Sequence, residues 1–425
     1  MKAIFAIIII LFSGHIYAAP PKIQVTDLEG RSFEGSGIRF EDNKQVAFLL
    51  KGITPTSFAC NNLAGISIFS AITPTLPKTE SPRNNRDSVA TLQYFRITLV
   101  NQNILYGTIS DTAKNGFAVY NNLVGKIQLN FEQIAAFERV EDKESSLLLR
   151  VMDAVKKTER EDTIFLISGD VDSGVVISLS SESVSIRSTL YNQDRTYKIN
   201  DVRAINLFSF PAIPEKTSKD NLEVIVYLTD NSRLGGLISQ TSLSEIILLQ
   251  DNGRYQIPIE AVSFICFKNN RCIYLSDLEP ADVKEYISPD DKVIGFLWHY
   301  QKDRGLFSQK SISIQGRRYS KGLAVHANCE LAYRLDGSYQ RFFATIGLTD
   351  ESAKGENDEL SGSVKFIVYV DGRKTFESEV FKKGSPPKDI SLDIRNAKEI
   401  KLTVNDAGDG YISDRAAWAL ARVIR

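Results

Sequence analysis

The strongest constraint on the fold is a unit that recurs four times in the first two thirds of the chain. "VTDLEGRSFEGSGI" begins at Val25, "ITLVNQNILYGTI" at Ile97, "IFLISGDVDSGVV" at Ile164 and "VYLTDNSRLGGLI" at Val226. In each, the first aliphatic residue stands ten positions before a glycine: Gly35, Gly107, Gly174 or Gly236. A further 26 to 28 residues on comes an apolar residue, Leu63, Ile134, Val202 or Val262, and three positions later a second, Ile66, Phe137, Ile205 or Ile265. Between these marks apolar and polar residues alternate, as in "FAVYNNLVGKIQLNF" and "SVSIRSTLYNQDRTYKI", which is the period of half-buried strands. Each unit therefore predicts four or five short strands in ~45 residues. It opens with a strand, a polar turn such as "TDNS" or "ISGD", and a second strand whose glycine permits a sharp bend or close backbone approach.

The units are expected at residues 22–70, 92–141, 162–209 and 222–271. The stretches 71–91 and 210–221, rich in proline and polar residues, read as linkers. Between the second and third units, 143–161 carries Leu148, Val151, Met152 and Val155 at helical spacing and reads as a helical connector. The bent second strand and the short closing apolar strand resemble the Sm-like and SH3-like small barrels. Sm-like barrels often bind RNA. A formal net charge of −1 and the absence of a basic-aromatic platform argue against that partner here, and the expected roles of the units are spacing, protein–protein contact or self-assembly.

At the N-terminus, Lys2 precedes an apolar run from Ala3 to Phe12 and small residues follow at Ala18 and Ala19. This is the pattern of a secretory signal peptide over residues 1–18, too short to span a bilayer, and the mature chain is expected to be exported to the periplasm, the cell surface or the medium, with no membrane span. Cys266 and Cys272 flank a turn at Asn269-Asn270. They would either bridge two strands of a tight hairpin or stay as buried thiols. Four cysteines without a CxxC, and two histidines left after the signal, do not make a zinc site.

From about Ile273 the repeat stops, and alternating strands with turn signals every 8–12 residues indicate an antiparallel sandwich. "YLSDLE", "YSKGLAVHANCELAYRLDGSYQRFFATIGLTDE", "GSVKFIVYVDGRK" and "LTVNDAGDGYISDRAAWALARV" together resemble the NPCBM family, carbohydrate-binding modules found beside family 98 glycoside hydrolases and alpha-galactosidases. The resemblance covers residues 272–425. It implies a galactose-binding-like β-sandwich that docks sugars, often with a structural calcium ion. It places His326, Asp406, Asp409 and Trp418 on family positions. Cys329, and "EPADVKEYISPDD" in place of a tryptophan-containing segment, depart from the pattern.

Sugar recognition needs an aromatic face for C–H groups and planar hydrogen-bonding groups for paired hydroxyls. Trp298, His299 and Tyr300 offer both, with alternation sending His299 to the face opposite the other two. With His326, Asp406, Asp409 and Asp414 they make the expected carbohydrate-binding set. His326 and Trp418, flanked by apolar residues, also read as core. Asp350, Glu351 and Asp358 are candidate calcium ligands in an acidic loop that reads equally well as solvated. A glycosidase needs two opposed carboxylates on a large scaffold, and small β units plus a module of ~150 residues leave no room for one. The expectation is an all-β, non-catalytic chain of tandem barrel-like repeats carrying a glycan-binding sandwich. The alternative is a structural or adhesive envelope protein that docks other proteins.

Overall fold

The computed structural model describes residues 21–40, 45–50, 55–69, 94–113, 116–140, 161–208, 223–242, 244–250, 253–286, 298–308, 310–353 and 362–425. The expected signal peptide, both linkers, nearly all of the helical connector and Asp358 lie outside the described residues.

Among the described residues, the extended structure in the first two thirds falls into four five-stranded units built alike. The first strands are Lys22–Asp27, Phe95–Leu99, Asp162–Leu166 and Glu223–Leu228. The fifth are Leu63–Phe69, Ile134–Arg139, Val202–Asn206 and Val262–Phe267. Within every unit the antiparallel order is fifth, first, second, third, fourth, as in the third unit. A three-residue 3-10 turn connects fourth to fifth strand each time: Cys60–Asn62, Phe131–Gln133, Ile199–Asp201 and Ile259–Ala261.

The repeated glycine has a steric cause. A Cβ on Gly107, Gly174 or Gly236 would lie 2.5, 2.0 or 2.3 Å from a carbonyl oxygen of the neighbouring third strand, at Tyr120, Arg187 and Leu249 respectively. Two residues further on, the register slips, at Ile109/Asp111, Val176/Ser178 and Ile238/Gln240. Close approach followed by a bulge bends the second strand, so that it pairs with the first strand on one side and the third on the other. The inward residues at the motif positions, such as Ile97, Ile164, Val226, Phe137 and Ile265, are buried in one continuous core.

The units join through equivalent residues. The fifth strands of units 1 and 4 pair with Ile66 opposite Ile265, and those of units 2 and 3 with Phe137 opposite Ile205. Units 2 and 4 meet at the second strand, Ile104 opposite Arg233. The spatial order along these pairings is therefore unit 1, unit 4, unit 2, unit 3.

The C-terminal region is a two-sheet sandwich. One sheet runs Gln301–Lys302, Gly322–His326, Arg415–Ile424, Arg341–Leu348, Lys388–Asp393, with Cys272–Tyr274 on the far part of Arg415–Ile424. The other runs Asp282–Glu285, Cys329–Arg334, Glu399–Asn405, Ser363–Val370, Arg373–Glu377. Their facing residues, Leu331, Phe342, Ile346, Val368, Leu402 and Trp418 among them, fill the core, where Trp418 stands edge-on to Phe366 at 5.0 Å.

Cys266 and Cys272 are free buried thiols, and their strands are not a hairpin. Val262–Phe267 pairs with unit strands, whereas Cys272–Tyr274 crosses into the sandwich. Both thiols sit in the apolar junction between unit and sandwich, with Leu28, Ala64, Tyr227, Phe264, Tyr274, Phe343 and Ile424. At its edge the fully buried Lys321 ammonium donates to Asp277 at 2.6 Å and Asp303 at 2.7 Å. Lys321 directly precedes the short strand Gly322–His326 and His326 ends it, so the sandwich docks by one end and turns the other away from this junction.

Candidate functional site

At that outer end, strand termini carry polar and aromatic side chains close together. Strand Asp282–Glu285 ends where Tyr286 exchanges backbone hydrogen bonds with Asn328 (3.1 and 3.3 Å). The Asn328 carboxamide holds the acidic loop: its Oδ1 accepts from the Asp406 amide at 3.1 Å and its Nδ2 donates to Asp406 Oδ2 at 3.4 Å. Asp406 Oδ1 accepts from the Gly408 amide, closing the turn. These bonds fix a carboxylate and an amide side by side.

Glu285 orders the neighbouring segment. Its Oε1 accepts from the Tyr300 amide at 2.5 Å and its Oε2 pairs with His299 Nδ1. A carboxylate at Nδ1 holds a proton there and fixes the orientation of the ring. Among the described residues His299 Nε2 has no hydrogen-bond partner, and the atom is covered although the residue as a whole is partly exposed. Glu285 thus fixes both the His299 ring and the backbone of Tyr300.

Trp298 is half-buried. Its ring lies parallel over His326, 4.3 Å between centroids at 21°, and edge-on to Phe307 at 6.2 Å. The Arg415 guanidinium covers Phe307 at 4.5 Å, a cation–π contact. Glu351 pins the Phe307 loop, accepting from the Leu306 and Phe307 amides and from Ser308 Oγ at 2.9, 3.4 and 2.8 Å. His326 donates from Nδ1 to the Ala327 carbonyl at 2.5 Å, and burial lowers its pKa to about 4, so the ring under Trp298 is neutral.

The expected residues thus divide by position. Trp298, His299, Tyr300 and Asp406 are partly exposed, and Asp409 is exposed, with Oδ2 accepting from Ser363 Oγ at 2.7 Å. Trp298 and Tyr300 both face inward but pack on different apolar clusters. His326 is a buried support beneath Trp298 and does not form the rim. Asp414, expected at the rim, is 0% exposed and accepts from the Ser363 amide at 2.7 Å. Burial, with Asp409 and Asp406 nearby, raises its pKa to about 8, so it is mainly protonated at neutral pH.

The calcium donors fare differently. Asp350 Oδ2 accepts from Ser313 Oγ and the Gly316 amide, and Glu351 from the Phe307 loop. Among the described residues no group of three or more His, Cys, Asp or Glu side chains is placed to hold a metal ion. Asp350 and Glu351 thus spend carboxylate oxygens on holding loops. Glu285, Phe307, Asn328 and Arg415 were not anticipated from the sequence. Asn328 follows His326 within the quoted "VHAN", and Glu285 lies within "EPADVKEYISPDD", the departure from the family pattern.

Residues 271–424 match the family model described as the NPCBM/NEW2 domain. This segment is an NPCBM/NEW2 domain. Among solved structures, it is similar to the CBM51 module from Clostridium perfringens GH95 in complex with methyl-galactose, at 28% identity over 36% of this chain and 99% of that one, TM-score 0.30. The CBM51-2 and INT domains of Clostridium perfringens ZmpB are 25% identical over 44% of this chain and 39% of that one, TM-score 0.31. The tandem CBM51 modules of Sp3GH98 from Streptococcus pneumoniae SP3-BS71 are 16% identical over 80% and 95%, TM-score 0.31. No curated protein matches the chain.

Proposed function

We propose that the protein is an exported, non-catalytic carbohydrate-binding protein whose NPCBM/NEW2 domain docks a galactose-type glycan at the outer end of the sandwich. The observation that carries this reading is the partly exposed group at this end, with Trp298 stacked on His326, His299 held by Glu285 and Asp406 held by Asn328. Trp298 supplies an apolar surface for sugar C–H groups, the partly exposed His299 ring a polar contact, and the partly exposed Asp406 carboxylate, held by Asn328, an acceptor for a hydroxyl. The carboxylates at this end hold loops: Glu285, Glu351, Asp406 and Asp414 each accept backbone amides. That arrangement favours a rigid binding rim over a pair of opposed catalytic carboxylates. The family of residues 271–424 supports a glycan ligand, and methyl-galactose, the sugar held by the similar GH95 module, is the first probe to try.

A monosaccharide has few atoms with which to offset desolvation, so one site binds weakly. Titration calorimetry of the full chain with methyl-galactose should give saturable binding that falls at least about tenfold in Trp298→Ala and in His299→Ala, with the fold intact by circular dichroism. A glycan array negative for every sugar with the wild-type chain would sink the reading and favour the protein-docking alternative.

A further inference from the structure

We propose that unit 3 is a homodimerisation surface, on which a second copy of this chain docks unit 3 against unit 3 across a twofold axis beside Val171. The inference rests on how the units already join and does not depend on the sugar reading.

Every strand pairing between units among the described residues brings equivalent motif positions together. Units 1 and 4, and units 2 and 3, pair by the second apolar mark of the fifth strand. Units 4 and 2 pair by the residue three positions before the motif glycine, Arg233 against Ile104. The side-chain bonds there are reciprocal. Asn103, four before its glycine, donates to Gln250, fourteen after the other glycine, and Asn121 donates to Ser232 in the equivalent relation, at 3.1 and 3.3 Å. Each junction is therefore locally two-fold, the geometry of an isologous contact. Along the row the contacts alternate: fifth strand, second strand, fifth strand.

Among the described residues two second-strand faces are left at the ends of the row, and their chemistry is opposite. Unit 1 presents Ser32, Glu34, Ser36 and Arg39, all exposed and polar, as a terminal repeat should. Unit 3 presents Val171, Val175 and Ile177 on the strand Val171–Leu179, with Val175 61% and Ile177 46% exposed. Ile167, Leu190 and Tyr191, also exposed, lie in the two turns that flank this strand and the next. Val171 stands three positions before Gly174, so it is the equivalent of Ile104 and Arg233. In unit 2 Ile104, the match of Val171, is buried together with Tyr106, the match of Ser173.

An apolar strip that starts at the position joining units 2 and 4, Val171, and runs on through Val175 and Ile177 calls for the same kind of partner: another unit of this type. The remaining second-strand face in the row, on unit 1, is polar, so the complementary occupant is unit 3 of a second copy. The dimer continues the alternation and carries two sandwiches on one particle, which raises avidity for any repeated ligand.

Sedimentation velocity of the full chain tests this, with a dimer expected that persists at high salt because the contact is apolar. The double variant Val175→Asp, Ile177→Asp should weaken association about 100-fold while circular dichroism is unchanged. A directly opposed antiparallel pair brings Cα atoms within disulfide reach. Val171→Cys should therefore yield a covalent dimer on a non-reducing gel, and Ser32→Cys, its equivalent on unit 1, should not. A chain that is monomeric at every concentration, a dimer lost at high salt, or a dimer in which Val171→Cys fails to cross-link overturns the proposal.

Discussion

The repeat units and the sandwich bury their cores alike and use their strands differently. In the units, strands end in tight hairpins and three-residue 3-10 turns, and strand edges and outer faces join one unit to the next. In the sandwich, strand ends carry Trp298, His299, Asn328, Asp406 and Arg415, held by hydrogen bonds between loops. Joining needs backbone edges and apolar faces, which repetition supplies four times over. Recognition needs several different side chains in one place, which a single set of unequal loops supplies better.

The sharpest way to break the comparison is at the boundary between the two regions. Lys321→Met removes the buried cation that bridges Asp277 and Asp303, and leaves the two carboxylates facing each other with Arg233 3.9 Å from Asp303. Because Asp277 is partly exposed, the expected loss is at the low end for a broken buried pair, about 3 kcal/mol, with new protease cleavage near residue 272 as the readout. An unchanged melting curve would show that the apolar junction alone holds the two regions together.

Next in size is a change confined to one unit. Gly174→Ala puts a methyl 2.0 Å from the Arg187 carbonyl oxygen and should cost about 2–3 kcal/mol. If units and sandwich are separate in role, sugar binding by the variant is retained while the first calorimetric transition moves down. Loss of both together would mean that the units shape the site.

Proton linkage gives two opposite slopes within the sandwich. His326, lowered to about 4 from 6.5, binds fewer protons folded than unfolded, so stability rises with pH across that window and is lost as pH falls through it. Asp414, raised to about 8 from 3.8, binds more protons folded, so its contribution is fully present below 3.8 and is lost as pH rises through 8. Between pH 7 and 9 the loss is about 1 kcal/mol, and Asp414→Asn should flatten it. A wild-type melting temperature that does not fall over this range would count against a protonated Asp414.

The smallest effect expected is at Asp409, whose exposed carboxylate accepts one serine hydroxyl: Asp409→Asn should shift stability by no more than about 0.5 kcal/mol. A large loss of sugar binding in the same variant would move this residue from the edge of the rim to its centre.

Much of the fold was legible because it depends on local period. Alternation marked the strands, and the glycine ten residues after Val25, Ile97, Ile164 and Val226 marked the place where the second strand meets a carbonyl. The site was less legible. Trp298, His299 and Asp406 stood out as residue types suited to sugars, and the structure leaves them partly exposed at one end of the sandwich. Asp414 looked the same as Asp409 in sequence, yet one is buried beneath Ser363 and the other is exposed. Cys266 and Cys272 looked like a hairpin pair because their spacing suits one, but their strands belong to different sheets.

The sequence by itself determined what repeats and what alternates: all-β structure, four equivalent units, and a C-terminal segment of a different kind. These follow from short-range sterics and from which side of a strand is apolar, and both are written every second residue. Tertiary structure alone decided that units meet through equivalent residues in the order 1, 4, 2, 3, that Glu285 orients His299, and that Asn328 holds Asp406. Those outcomes depend on contacts between residues far apart in the chain or in separate strands, whose pairing no local period encodes.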